Sequence, residues 1–103
     1  MAIVLFTVKA TITADQEDAF NRWYNEEHCA QLLRFNGAVS ARRYRALLGV
    51  DSYRYMAVYE FRDEATFERF QESEAFADLK REYEAHFGAV SERKREAWVQ
   101  VFP

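Results

Sequence analysis

The chain has 103 residues, half of them apolar and 17% aromatic, with a formal net charge of −3. That length supports one core and one domain (residues 1–103), and the apolar share argues for a packed globule and against disorder. The negative balance argues against nucleic acid as a partner, since Arg93-Lys94-Arg95 is bracketed by Glu92 and Glu96, and the single cysteine excludes an internal disulfide.

Ala2 to Ala10 is nearly continuously apolar and β-prone, as expected for a strand covered on both faces. The first residues lack the charged start and the length of a secretory leader, and no stretch reaches transmembrane length. A soluble cytoplasmic protein with no membrane partner is expected. A helix should follow from about Asp15 to Phe35, capped by Thr13 or Asp15 and stopped at Asn36-Gly37. At about 100° per residue, Phe20, Trp23, Tyr24, Glu27 and Gln31 share one side of that helix, with His28 and Phe35 along its edge. A carboxylate and an amide thus stand where a core-facing stripe should be aliphatic. A polar group there costs stability unless it is paired or useful, so this stretch marks the expected site.

Ala38 to Leu48 reads as a second strand, with Ser40, Arg42 and Tyr44 opposite Val39, Ala41, Arg43 and Arg45. Leu48 to Ser52 is a hairpin-sized connection. Tyr53 to Arg62 alternates, its Tyr53, Tyr55, Ala57, Tyr59 and Phe61 opposing Arg54, Met56, Val58, Glu60 and Arg62. Asp63 should cap a short helix, and Ser73 a longer one ending at Gly88. The last strand is expected over Glu96 to Phe102. The order βαββαβ implies an α+β fold of ferredoxin-like form, a four-stranded antiparallel sheet with its helices on one face. Large apolar residues on both strand parities would leave one face wet in a monomer, so a homodimer closed sheet to sheet is expected.

The run Trp23-Tyr24, Glu27-His28 and Leu32-Leu33, followed by a turn at Gly37 and by Arg42-Arg43-Tyr44, resembles the dimeric α/β-barrel superfamily. Within it the chain is similar to the EthD-like branch of small bacterial proteins, over essentially its whole length. The resemblance implies a sheet-to-sheet dimer with a ligand pocket between helices and sheet in each protomer. The superfamily spans cyclases, isomerases, monooxygenases and haem proteins, so it does not by itself select a reaction.

Glu27 and His28 are the expected catalytic pair. Burial of Glu27 among Phe20, Trp23 and Gln31 would favour its protonated form; its structural alternative is an ion pair with Arg43 or Arg45. His28 would move a proton beside a substrate carbonyl, needing only a small shift to titrate near neutrality. Phe20, Trp23, Tyr24, Gln31, Tyr44 and Tyr55 would line the substrate site, with Arg43 or Tyr44 stabilising an enolate or phenolate. Cys29 should point away from the stripe as a structural residue. No metal and no cofactor are expected: Glu27 and His28 lack ligand spacing, and no glycine-rich phosphate loop occurs. The function these residues suggest is acid–base chemistry on a small aromatic or polyketide-like carbonyl compound. The alternatives are a non-catalytic binding protein, or a haem-binding monooxygenase using His86.

Overall fold

The computed structural model describes residues 2–49 and 51–103; Val50, inside the expected hairpin connection, lies outside them. Strands β1 (Val4–Ala10), β2 (Ala38–Arg45), β3 (Tyr55–Phe61) and β4 (Arg93–Val99) form one antiparallel sheet in the order β2-β3-β1-β4. Helices α1 (Glu17–Trp23), α2 (Cys29–Leu33), α3 (Glu64–Gln71) and α4 (Glu74–Phe87) pack on one of its faces. This is the expected ferredoxin-like α+β arrangement.

Local signals account for most boundaries. Asp63 caps α3 through the Thr66 amide at 2.8 Å, and Ser73 caps α4 through that of Phe76 at 3.1 Å. The first helical stretch begins differently from expectation: Ala14–Gln16 forms a 3-10 turn, and Thr13 makes no side-chain cap. Gly37 closes the stretch at φ +106°, and any Cβ there would run into the Thr66 side chain, so glycine is required twice over. The last strand lies three residues earlier than expected. It starts at Arg93, because Arg93 to Val99 pair along the whole of β1.

Alternation divides the sheet. Val4, Phe6, Val8 and Ala10 from β1, and Ala57, Tyr59 and Phe61 from β3, are buried under the helices. Phe20, Phe70, Phe76, Tyr83 and Phe87 meet them there, mostly edge to face. Each such side chain removed from water stabilises the fold by roughly 1.5–3 kcal/mol. The tyrosine parity of β3 therefore faces the helices. The other face carries Leu5, Tyr44, Met56, Val58 and Trp98 without any helical cover, and Trp98 is 59% exposed.

Between α1 and α2 the chain makes a π-helical turn, Tyr24–His28. A π turn holds one residue more than an α turn, so everything after it is rotated. The stripe continues from Phe20, Trp23 and Tyr24 not to Glu27 and Gln31 but to His28, Cys29 and Leu32, all buried. Glu27 is carried to the exposed side, which spares the fold the cost of a carboxylate among aromatics. The expectation that Cys29 points away is corrected for the same reason.

Candidate functional site

The π turn sets His28 beneath α4. Its ring is 7% exposed, stacked on Trp23 at 4.6 Å and meeting Tyr24 and Tyr83 edgewise at 4.9 and 6.0 Å. Its Nδ1 is buried and makes no hydrogen bond. A buried polar atom without a partner costs about 1–3 kcal/mol, so its retention calls for an explanation.

His28 lines a narrow cleft between α4 and the sheet, of about 20 Å³, room for about one water molecule. Tyr24, Tyr59 and Tyr83 line it, with Phe6, Leu32 and Phe76 as apolar walls and Lys80, Arg93 and Arg95 as the cationic ones. The Tyr83 hydroxyl is 2.5 Å from Ser91 Oγ, while Arg93 lies 3.9 Å over the Tyr83 ring and pairs with Glu84 at 2.7 Å. The Tyr59 hydroxyl sits close enough to Tyr24 and Cys29 to feel both, yet no hydrogen bond of good geometry reaches it.

Burial, and then the charges of Arg93, Arg43 and Arg95, lower the His28 imidazole to about 4. The ring is thus neutral at pH 7 rather than poised near neutrality. Burial pushes Tyr24, Tyr59 and Tyr83 upward, and Cys29 with them, so the phenols stay protonated and the thiol is no nucleophile. The site therefore presents a neutral imidazole, protonated hydroxyl donors and fixed cations. That set suits removal of a proton from an acidic C–H or O–H and stabilisation of the anion formed.

Of the residues expected from sequence, His28 and Tyr24 line the cleft. Trp23 backs the imidazole, and Phe20 backs Tyr24 at 5.3 Å. Arg43 lies 4.3 Å over the Tyr24 ring and donates to Asn25 Oδ1 at 2.9 Å, leaving Nε and Nη2 without partners. The other four are elsewhere. Glu27 is exposed and, among the described residues, pairs with no arginine. Gln31 borders a separate hollow beside Arg34 and Phe35. Tyr44 is on the uncovered sheet face, because its strand parity opposes that of Arg43. Tyr55 accepts from Asn21 Nδ2 at 3.1 Å and donates to Glu17. It borders a larger, open depression of about 610 Å³ at the hairpin end of the sheet, which holds no buried titratable group.

Tyr83, Lys80, Arg93 and Arg95 were not singled out from sequence. Arg93 and Arg95 read as part of a solvated basic run, but strand alternation carried back from Ala97 turns both toward the helices. His86 is exposed and lies 5.2 Å from Trp23, outside the cleft lining. Among the described residues no three His, Cys, Asp or Glu side chains gather to hold a metal, and no helix is long and apolar enough to cross a membrane.

A family model described as a domain of unknown function, DUF4286, matches residues 3–100. No curated protein sequence matches the chain. Among solved structures the fold is shared with a DABB family protein of ferredoxin-like fold from Mesorhizobium loti (TM-score 0.74, 12% identity, 99% of this chain and 100% of that one). It is shared too with an EthD family protein from Bacillus halodurans (TM-score 0.66, 12% identity, covering 93% and 97%). A third is SnoaB, a cofactor-independent oxygenase from Streptomyces nogalater (TM-score 0.66, 18% identity, covering 100% and 97%). At these identities the likeness establishes the fold, and the EthD-like resemblance read from the helix motif holds at that level.

Proposed function

The chain belongs to the DUF4286 family, and because that family's description assigns no chemistry, we propose from the cleft itself that it is a cofactor-independent enzyme. It would act on a small aromatic or polyketide-like carbonyl compound by acid–base chemistry. One observation carries the reading: His28 is buried, neutral and unpaired at Nδ1, in a cleft that also holds protonated tyrosine hydroxyls and cations. His28 accepts a proton from the enolisable position, and Tyr24 or Tyr59 donates to the oxygen that gains charge. Arg95 and Arg93 offset that charge in a site poor in water. The fold shared with a cofactor-independent oxygenase supports chemistry of this kind. The test is aerobic incubation of the purified protein with enolisable aromatic ketones such as tetralone and anthrone, following product and the His28 ring resonances together. Turnover without added metal or cofactor, with those resonances displaced, is the expected result. Displacement without turnover would leave a binding protein, and neither would remove the cleft from consideration.

The same reading includes a homodimer. The uncovered sheet face sets Leu5, Met56, Val58 and Trp98 in one patch, which packing against a second copy would bury. Sedimentation of the parent at micromolar concentration should give a dimer, and Val58→Asp should give a folded monomer. A monomeric parent, or a dimer indifferent to Val58→Asp, would sink the sheet-to-sheet arrangement.

A further inference from the structure

A second hollow of about 350 Å³ adjoins the His28 cleft, and the two share Phe6, Phe76, Lys80 and Arg95. Lys80 Nζ lies 4.4 Å over the Phe76 ring, and the Arg95 guanidinium is 5.8 Å from the same ring. Both residues are exposed, and both side chains are long and unbranched. They form the divide between a space fit for one water and a space within the usual range for a ligand. Long unbranched side chains have many rotamers, so movement of these two is the step that joining the spaces requires.

The divide carries charge without a counter-charge. Among the described residues neither Lys80 nor Arg95 forms an ion pair, and the neighbouring carboxylate, Glu84, is taken by Arg93. Glu96 borders the hollow, but its strand position alternates to the opposite sheet face from Arg95. The chain as a whole is negative, so the gathering of cations here is not a by-product of composition. Cations on an aromatic wall, with apolar surface beside them, recognise a flat ring that carries negative charge.

We propose that the joined cleft and hollow bind a planar aromatic anion, its ring against Phe6 and Phe76 and its carboxylate or ionised enol between Lys80 and Arg95. The inference rests on the cleft being the ligand site and adds the ligand's charge.

Titration calorimetry with naphthoate, hydroxynaphthoquinone (ionised at neutral pH) and uncharged naphthamide tests it. At least one anion should bind about tenfold or more tighter than naphthamide, which is about 1.4 kcal/mol. Combining Lys80→Gln with Arg95→Gln should erase that preference, bringing the anion's affinity down to that of naphthamide. Preference for naphthoate alone assigns the carboxylate, and preference for hydroxynaphthoquinone alone assigns the enolate; either upholds the proposal. Equal binding of all three, or a preference that survives the double substitution, overturns the anion inference while the cleft reading stands. No binding by any of them overturns both.

Discussion

His28→Phe should lower turnover on an enolisable aromatic ketone by about a hundredfold or more, the usual scale for loss of a general acid or base. Phenylalanine suits the test because the site already treats the imidazole as a ring. It is stacked on Trp23 and buried against Tyr24 and Tyr83, and a flat apolar substitute keeps those contacts. His28→Ala would instead open a void behind Trp23 and confuse lost chemistry with lost packing. A hundredfold in rate corresponds to about 2.7 kcal/mol of barrier. Glu27→Gln, at an exposed position outside the cleft, should move rate and stability by no more than about 0.5 kcal/mol. Full turnover in His28→Phe would place the chemistry elsewhere in the molecule.

The same variant should change how stability responds to acid. His28 is lowered from 6.5 to about 4 in the fold, by burial first and then by Arg93, Arg43 and Arg95. Between those two values the unfolded chain holds a proton that the folded chain refuses. The stability His28 contributes by staying neutral is therefore complete above about pH 6.5 and is lost as pH falls toward 4. At about 1.4 kcal/mol per unit, the loss approaches about 3 kcal/mol. In a domain of this size that lowers the melting temperature by about ten degrees or more. His28→Phe has no such proton to take up. Denaturant unfolding at pH 7.5 and at pH 4.5 should show the parent losing about 2–3 kcal/mol more than the variant. Aspartate and glutamate protonation acts on both proteins and cancels in the comparison. Equal losses in parent and variant would show that His28 titrates in the fold as it does in the open chain.

The sequence by itself determined the element order, the caps at Asp63 and Ser73, the stop at Gly37 and the alternation of β3. Each of these is written in neighbouring residues: a side-chain oxygen placed before a helix, a glycine where φ is positive, a period of two along a strand. It also pointed to the helix that carries His28, because aromatics interrupted by ionisable groups are visible at any register. The register itself was a tertiary matter. A helix drawn at a constant 100° puts Glu27 inward, and the π turn at Tyr24–His28 puts His28 there instead. Its trace in the sequence is a slip of one residue in the apolar spacing, from Tyr24 to the set His28, Cys29 and Leu32. A slip of one is readable only once it is known which face meets the sheet. Tertiary structure likewise decided that Arg43 faces the helices while Tyr44 does not, since pairing with β3 fixes which parity is covered. It brought Lys80 from α4 beside Arg95 from β4, fifteen positions apart in the chain, because the sheet lays β4 along β1 under that helix. Local chemistry states what an element is, but which side chains share a cleft depends on non-local packing, and no short stretch of sequence contains it.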